Sequence, residues 1–427
     1  MKRVLVFPCG SEIGLEINRS LAHSTHFEMY GASSIDNHGA YVYRNYIGGV
    51  PNIDDDDCIE KINAIIDEYG IDFIFPAHDS AVLKFARHAD ELHAVVVTSP
   101  EATCEICRSK LRTYEVLDGV VPTPVVYNGA DSSALEFPLF CKPDVGQGSR
   151  GAHKIASRKD YDYYVAGVEG LVLSEFLPGS EYTIDCFTDR NGNLRFCEGR
   201  RRARISNGIC VNAVPIKNPE FRRLAELINS KMTFRGMWFF QLKERADGEL
   251  VLMEIAPRIA GTMGLYRGIG VNFALLSLFD AMEYDVDVFC NNYTIENDRA
   301  LCTRFKTDVV YDTVYLDFDD TVTTRGQINT DVMKFIYQAR NEGKRIVLVS
   351  RHERDLKQTL ADYSIAESLF ADIIVIRDKS KRKSELITEK SAVFIDDSYA
   401  ERKDVYERCG IPVFAPDSID VLLNHRI

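Results

Sequence analysis

Two aspartates one residue apart, Asp317 and Asp319, follow the apolar run Thr313-Val-Tyr-Leu and precede Asp320 and Thr321. A short apolar run bounded by turn-type residues reads as a buried strand, and in an open α/β sheet ligands bind at the carboxyl ends of strands. The spacing therefore puts two carboxylates at the mouth of a sheet. Three further pieces follow in order: a strand Arg345-Ile-Val-Leu-Val-Ser350 ending in a hydroxyl, a basic stretch Lys379-Ser-Lys381-Arg382-Lys383, and a strand Ala392-Val-Phe-Ile-Asp396-Asp397 ending in acids. Clustered carboxylates hold a hard cation such as Mg2+ through oxygen, and that cation with a serine and a lysine neutralises a phosphoryl group. Asp317 is then free to attack phosphorus, with Asp319 handling the leaving-group proton.

From about Thr313 to the C-terminus the chain resembles the haloacid dehalogenase superfamily in all four of its motifs. The resemblance implies that Asp317 is the nucleophile that becomes an aspartyl phosphate, that Asp319 is the acid/base, and that Ser350 and a lysine hold phosphate. Lys383, which opens the helix-like Lys383-Ser-Glu-Leu-Ile387, is the chosen lysine, with Lys379 and Lys381 as alternatives. Asp396 and Asp397 join Asp317 and Asp319 as the expected Mg2+ ligands, with Glu401 behind them. Adjacent acids also arise on solvated turns of any acidic protein; four motifs in order on strand ends are what set this segment apart. The connections between the motifs are short, so no cap domain is expected between Asp319 and Ser350 or between Ser350 and Lys383. That arrangement is similar to capless phosphatases, which act on large substrates or borrow a lid from a neighbouring domain.

A second group of chemically capable residues begins at Pro138-Leu-Phe-Cys-Lys142-Pro-Asp-Val-Gly146-Gln-Gly148-Ser149-Arg150-Gly151. Taken literally, Gly146-x-Gly148-x-x-Gly151 is a dinucleotide fingerprint, but that turn needs a helix after its glycines, and Ala152-His-Lys-Ile-Ala156 reads as a second strand. A strand, a glycine-rich loop and a return strand make a hairpin whose backbone N–H groups, around Gly148 and Ser149, can close over a polyphosphate while Lys142 supplies a fixed charge. Downstream, Leu171-Val-Leu-Ser-Glu175-Phe-Leu177-Pro-Gly179-Ser-Glu181 can offer backbone groups to an adenine and a carboxylate to ribose hydroxyls. Trp238-Phe-Phe-Gln241-Leu-Lys243 and Leu252-Met-Glu254-Ile-Ala-Pro-Arg258 read as neighbouring strands that put a Gln, a Glu and an Arg on one face.

In this order the segments resemble the ATP-grasp superfamily, especially the synthetase modules of the carbamoyl phosphate synthetase large subunit, over roughly residues 1 to 306. Ser109-Lys110-Leu-Arg-Thr113-Tyr before Val121-Pro-Thr-Pro124 matches the first nucleotide-lysine segment. The resemblance implies ATP and Mg2+ as cofactors. Lys110 and Lys142 would hold ATP phosphates, Glu175 and the backbone near Leu177 would meet adenine, and Glu181 would meet ribose. Gln241 and Glu254 would ligate Mg2+, and Arg258 would steady the transferred phosphoryl group. One position departs from the pattern: Ala256 stands where the family's Glu-x-Asn-x-Arg carries its Asn, so a metal ligand is missing. Such a module phosphorylates a carboxylate from ATP, which gives a good leaving group for an amine or another nucleophile to displace. The arginine-rich Gly199-Arg200-Arg201-Arg202-Ala-Arg204, followed by Ser206-Asn-Gly208, is either an anionic-substrate dock or a charged sheet edge that resists aggregation.

Length and composition bound these readings. At 427 residues, two or three domains are expected, and 45% hydrophobic with 27% charged residues is ordinary for a globular protein. The expected domains are an N-terminal pre-ATP-grasp domain (1-108), an ATP-grasp domain (109-306) and a haloacid dehalogenase-like phosphatase domain (313-427). The fold class is α/β: a Rossmann-like pre-ATP-grasp domain, an α+β ATP-grasp module, and a doubly wound Rossmannoid domain without a large cap. A strand is expected over Ala300 to Lys306, completing the ATP module after the loop Cys290 to Asp298. A net charge of -13 argues against nucleic acid or an anionic membrane as the main partner, and no run approaches the length of a membrane span. Eleven cysteines are scattered without paired zinc spacing. The lone Cys104-x-x-Cys107 reads as helical and structural, and the compartment as the reducing cytosol. Asp54-Asp-Asp-Asp57 reads as a solvated loop or helix start, and His78 as a hydrogen-bonded structural histidine. The partners expected are a small-molecule carboxylate and amine or a phosphorylated metabolite. The reading of function is a ligase fused to a phosphomonoesterase; an ATP-grasp kinase, or a nucleotide-sensing module that regulates the phosphatase, are its alternatives.

Overall fold

The apolar run Val4 to Phe7 lies in β1 (Lys2–Phe7), with Val4 and Val6 packed in one core layer and Leu5 and Phe7 in another. A strand apolar on both faces belongs in the middle of a parallel sheet covered on both sides, and that is its place in this computed structural model, which describes residues 1–206, 208–378 and 380–426. The chain divides into two compact units, Met1–Leu301 and Cys302–Arg426.

In the first unit β1 is followed by α1 (Glu12–Leu21), β2 (Phe27–Ser33), β3 (Asn45–Gly48), α2 (Cys58–Tyr69), β4 (Phe73–Pro76), α3 (Asp79–Arg87) and β5 (Val95–Val96). The five strands are parallel in the order β3-β2-β1-β4-β5. The order therefore reverses between β1 and β4, and Ser11, the N-cap of α1, and His78, the N-cap of α3, stand at the carboxyl ends there. Ligands in open α/β sheets favour that position. Two short helices, α4 (Glu101–Arg108) and α5 (Lys110–Leu117), share Ser109 as C-cap and N-cap, and carry the chain toward the next layer.

The hairpin expected around the glycine-rich segment is present. β6 (Leu139–Pro143) pairs antiparallel with β7 (His153–Ile155); α6 (Arg158–Tyr164) follows, and β8 (Leu171–Glu175) pairs with the other edge of β6. The largest sheet comprises β9 (Glu181–Thr188), β10 (Leu194–Ser206), β11 (Ile209–Ile216), β12 (Gly236–Glu244), β13 (Leu250–Ala256) and β14 (Asn297–Asp298), antiparallel in the order β13-β12-β9-β10-β11-β14. α7 (Pro219–Lys231), α8 (Gly264–Gly268) and α9 (Phe273–Ala281) complete the unit.

The last strand of this sheet does not fall over Ala300 to Lys306, where it is expected from the sequence. Asn297–Asp298 takes the edge beside Asn212 and Ala213 of β11, and residues 300–306 form no strand. Polar pairing decides the register: Arg204 Nη2 lies 2.6 Å from Asp298 Oδ1 and Asn212 Nδ2 donates to Glu296 Oε1 at 2.7 Å, whereas the fully exposed Leu301 has no apolar face to enter.

The second unit contains β15 (Thr313–Leu316), the small hairpin β16 (Thr323–Thr324) and β17 (Gln327–Ile328), α10 (Thr330–Asn341), β18 (Arg345–Ser350), α11 (Leu356–Asp362), β19 (Asp372–Val375), β20 (Ala392–Ile395), α12 (Tyr399–Cys409) and β21 (Val413–Phe414). Its five parallel strands run β19-β18-β15-β20-β21. Every residue of β15 and β20 is buried, with Val314 and Leu316 in one core layer and Tyr315 in the other. Only a two-strand hairpin and one helix separate β15 from β18. Among the described residues no helix is long and apolar enough to cross a membrane, and all eleven cysteines are free.

One charge pair lies wholly inside the large sheet: Arg200 on β10 donates from Nε to Asp185 Oδ2 on β9 at 2.6 Å and from Nη2 to Oδ1 at 3.2 Å, with both side chains buried. Removing one partner of a buried pair leaves the other charge without compensation, at a cost of about 3–5 kcal/mol. Trp238, the chain's only tryptophan, is fully buried in the neighbouring β12 and reports on this unit alone. Asp185→Ala is therefore expected to lower the unfolding free energy read from tryptophan fluorescence in denaturant by about 3–5 kcal/mol; a change under about 1 kcal/mol would show the pair to be dispensable.

Candidate functional site

The first unit contains a cleft of about 890 Å3, lined from β6, β9, β10, β12, β13 and the loops at the ends of β1 and β4. Lys110, Lys142, Gly148, Ser149, Glu181, Gln241, Glu254 and Arg258 all line it. Lys110 opens α5 and its ammonium donates to the backbone carbonyls of Pro143 and Asp144, 3.0 Å each. The Asp144 carboxylate in turn accepts from Ser109 Oγ and Leu111 N at 2.8 Å, which ties the start of α5 to the end of β6. Lys142 donates to Tyr114 Oη at 3.0 Å and to the Met253 carbonyl at 3.1 Å. Both amines are buried and, among the described residues, neither is in an ion pair. Burial lowers the pKa of each; for Lys142 it falls to about 8 although Glu254 and Glu181 pull the other way.

Gln241 and Glu254 face each other across the β12–β13 ladder. Gln241 Oε1 and Glu181 Oε1 both accept from Arg202, at 2.7 and 2.9 Å, and the same guanidinium donates to the Gly208 carbonyl at 2.9 Å. The Glu254 carboxylate has no hydrogen-bond partner among the described residues. Amide and carboxylate oxygens are the donors a hard cation takes, and Mg2+ is commonly held by one or two such groups with substrate phosphates and water filling the shell. Gln241 and Glu254 fit that requirement; Ala256 adds nothing, because its methyl group is packed into the core opposite Phe239.

The glycine-rich loop folds back with positive φ at Gly148 (61°), Ser149 (56°) and Gly151 (70°). It approaches the β10–β11 turn so closely that a Cβ at Gly208 would stand 2.6 Å from the Gly148 carbonyl oxygen, so no other residue fits there. On its other side the Gln147 amide meets the imidazole of His78, whose Nδ1 accepts from Ser80 N at 3.4 Å. His78 is thus hydrogen-bonded, as expected, but to the flap.

Three sequence assignments meet partners that the sequence did not show. Glu175 and Leu177, expected at the adenine, do not line the cleft. The Glu175 carboxylate accepts from Arg245 Nη2 at 2.7 Å and Val125 N at 2.9 Å, and Leu177 is buried. Arg258, expected to steady a phosphoryl group, is held at two points by Asp79, with Nε to Oδ1 at 2.5 Å and Nη2 to Oδ2 at 2.9 Å. The arginine-rich strand does not act as one patch: Arg200 serves Asp185, Arg202 enters the cleft, Arg204 pairs with Asp298, and Arg201 is exposed. Asn207 of the adjoining turn lies outside the described residues. Tyr114, Asp79 and Asp144 were missed; Tyr114 alone had a signal, its place in the Lys110 segment.

In the second unit the ends of β15, β18 and β20 converge. Lys383 Nζ donates to Asp317 Oδ1 at 2.6 Å and to Asp396 Oδ2 at 2.7 Å, all three side chains being buried. Asp317, Asp396 and Asp397 offer oxygens within 4.8 Å of one another. Three carboxylates without nitrogen or sulfur donors fit a hard divalent cation. Burial pushes Asp317 up to about 7, with Lys383 opposing and Asp396 adding to the rise. For Lys383 burial works against the charge, but the two carboxylates outweigh it and its pKa is raised.

The Asp319 carboxylate, expected among the metal ligands, is not in that group. It turns instead toward Ser350 Oγ, at 3.5 Å, and His352 Nδ1, at 2.9 Å. Glu401 accepts from Arg351 Nε at 2.9 Å rather than backing Asp396, whose Oδ1 is taken by Ser398 N at 2.8 Å. Lys381 is exposed, and Lys379 lies outside the described residues. His352 was missed because the reading stopped at the last residue of the strand. In titration calorimetry without nucleotide, Mg2+ is expected to bind the native protein, and Asp396→Asn to lose that heat; unchanged binding would place the ion elsewhere.

Residues 168–298 match the family model described as ATP-grasp in the biosynthetic pathway with Ter operon. No curated protein matches the chain. Among solved structures, the chain is similar to the biotin carboxylase domain of Hydrogenobacter thermophilus 2-oxoglutarate carboxylase, in complex with MgADP, ADP and bicarbonate, at 17% identity over 68% of this chain and 71% of that one, with a TM-score of 0.57. It is also similar to an L-amino acid ligase from Bacillus licheniformis (18% identity, 66% and 74% covered, TM-score 0.55). A third likeness is to N5-carboxyaminoimidazole ribonucleotide synthetase from Thermotoga maritima (17% identity, 67% and 77% covered, TM-score 0.51). At these identities the likeness is one of fold, a mixed α/β architecture, and the family match is confined to residues 168–298.

Proposed function

We propose that this chain is a bifunctional enzyme: an ATP-dependent carboxylate–amine ligase in its first unit and a haloacid dehalogenase-type, Mg2+-dependent phosphomonoesterase in its second. The proposed domains are a pre-ATP-grasp domain over 1-108, an ATP-grasp domain over 109-306 and the phosphatase from 313. The observation that carries the ligase reading is that two buried, unpaired lysines, a backbone flap and a Gln–Glu oxygen pair share one cleft. The family match to an ATP-grasp module and the MgADP named for the carboxylase neighbour support ATP and Mg2+ as its cofactors.

On this reading Lys110 and Lys142 hold ATP phosphates. An amine kept in the cleft by neutral oxygens gains most when an anion arrives, since Coulomb attraction is strong where water is scarce. Glu181 faces the ribose, and Gln241 and Glu254 hold Mg2+, which offsets charge that accumulates during phosphoryl transfer. Backbone N–H groups of the flap cover the phosphates and keep water from an acyl phosphate. Arg258 acts at one remove, through Asp79, or exchanges that partner for phosphate when nucleotide binds.

In the second unit Asp317 is proposed as nucleophile, Ser350 and Lys383 as phosphate ligands, Asp319 as acid/base, and Asp317, Asp396 and Asp397 as the metal site. The meeting of Lys383 with both Asp317 and Asp396 supports this. The phosphatase is proposed to prepare the ligase substrate or trim its product.

Ala256 favours a second reading, in which the module binds nucleotide without turning it over and regulates the phosphatase. ADP release across panels of organic acids and amines separates the readings: release that needs both supports ligation, release with acid alone a kinase, and binding without release a sensor. Glu254→Ala is expected to cut ADP release by ~100-fold or more while leaving phosphatase activity intact, and Asp317→Asn to do the reverse.

The Lys142 amine gives the nucleotide site a proton signature. Its pKa of about 8 must rise when phosphate stands beside it, so binding takes up protons only where the free amine is partly deprotonated. Calorimetry of ATP binding in buffers of different ionisation heat is expected to show uptake of about half a proton near pH 8, more near pH 9 and almost none near pH 6.5. Lys142→Arg, charged throughout, is expected to abolish the uptake; an unaltered uptake would assign it to another group.

A further inference from the structure

Asp319 is exposed, unlike the buried Asp317 and Asp396 of the second site. Its side chain is 52% exposed and it precedes Asp320, which turns the chain with φ of 56°. An aspartate so placed samples several rotamers in water, and a group that must meet one atom of a substrate loses rate for each wrong one. The structure supplies a brace. His352 Nδ1 lies 3.0 Å from Asp319 Oδ1 and 2.9 Å from Oδ2, so it faces the middle of the carboxylate.

The imidazole is itself fixed from three sides. Nε2 is 2.9 Å from Thr359 Oγ1, and Thr359 Oγ1 is 2.9 Å from the Asp355 carbonyl oxygen, so the ring is backed by a hydroxyl that is itself anchored. The ring stands edge-on to Phe318 at 5.5 Å. Arg377 holds the backbone beneath it, donating to the carbonyls of His352 at 3.0 Å, Glu353 at 2.9 Å and Arg354 at 3.0 Å. His352 is buried, and among the described residues its side-chain partner at the site is the Asp319 carboxylate.

We propose that His352 is a positioning residue that aims Asp319 at the leaving oxygen of a phosphate ester, an inference that rests on the phosphatase reading given above. In the step concerned, an Asp317 oxygen forms a bond to phosphorus as the bond from phosphorus to the ester oxygen breaks. The electron pair stays on that oxygen, and the proton of the Asp319 carboxyl moves to it, releasing an alcohol. Asp319, now a carboxylate, takes a proton from the water that attacks the aspartyl phosphate; phosphate leaves and Asp317 is restored. An alcohol of high pKa depends on that proton, whereas a nitrophenolate departs without it.

The test compares two esters with the full chain and Mg2+. For His352→Ala, kcat on glycerol phosphate is expected to fall by roughly 10–100-fold and kcat on p-nitrophenyl phosphate by less than about 3-fold, with KM little changed for either. His352→Asn, whose amide nitrogen reaches the place of Nδ1, is expected to restore most of the loss. Should His352→Ala not fold, Thr359→Val carries the same comparison, since it keeps the imidazole and removes its backing. Equal losses on both esters, no loss on glycerol phosphate, or no rescue by Asn would overturn the role of His352. A native protein inactive on both esters, or one in which Asp317→Asn keeps its activity, would remove the phosphatase reading and this inference with it.

Discussion

An ammonium group taken out of water must be surrounded by something that replaces the water, and the two sites of this chain do so in opposite ways. Lys142 is held by neutral oxygens, a tyrosine hydroxyl and a backbone carbonyl, with carboxylates nearby but not in contact, and its pKa falls. Lys383 is clasped by two buried carboxylates, and its pKa rises. The first arrangement leaves a cation poorly compensated until an anion enters. In the second the cation is already compensated, and its two partners are the oxygens a divalent ion would share. The sheet geometry follows from these needs: β6 and β13 must run close enough for Lys142 to reach the Met253 carbonyl, and β15 and β20 must be neighbours for one lysine to span both strand ends.

The large cleft is assembled from pairs that are remote in the chain. Arg258 and Asp79 are 179 positions apart, and Lys110 meets the end of β6 more than thirty residues on. A parallel sheet and an antiparallel one contribute to the same wall, so charge balance in the cleft is a property of the whole unit. Arg202 illustrates this: one guanidinium on β10 ties together Glu181 of β9, Gln241 of β12 and the turn against which the flap rests.

Features written in local pattern were legible in the sequence. Apolar runs that end in an acid or a hydroxyl named β15, β18 and β20, and with them the strand-end places of Asp317, Ser350 and Asp396; a strand followed by glycines and a second strand named the hairpin. Features decided by distant partners were not. Nothing near Glu175 announces Arg245, and nothing near Arg258 announces Asp79, so motif position alone put Glu175 at the adenine and left Arg258 free. A strand is expected over Ala300 to Lys306, yet an edge accepts whichever segment can pair, and the polar Asn297–Asp298 wins through Arg204 and Asn212. His352 lies two residues beyond a correctly read strand, where periodicity ends and only side-chain geometry speaks.

The two proposed reactions make contrary demands on water, and the covering of each site is consistent with them. An acyl phosphate awaiting an amine is destroyed by hydrolysis, so its site gains from a flap that seals. The flap here is a hairpin that reaches the β10–β11 turn at a contact no side chain at Gly208 would permit, and meets His78 on its other side through Gln147. An aspartyl phosphate, by contrast, requires water as its second reactant. Over the carboxylates of the second unit the chain between β15 and β18 offers only a hairpin with two residues in each strand and a helix, and Asp319 is left half exposed. A site that must admit water cannot immobilise its acid/base by burying it. The alternative is to fix an exposed carboxylate from behind, through a buried neighbour that is itself anchored, and this is the relation in which His352, Thr359 and Arg377 stand to Asp319.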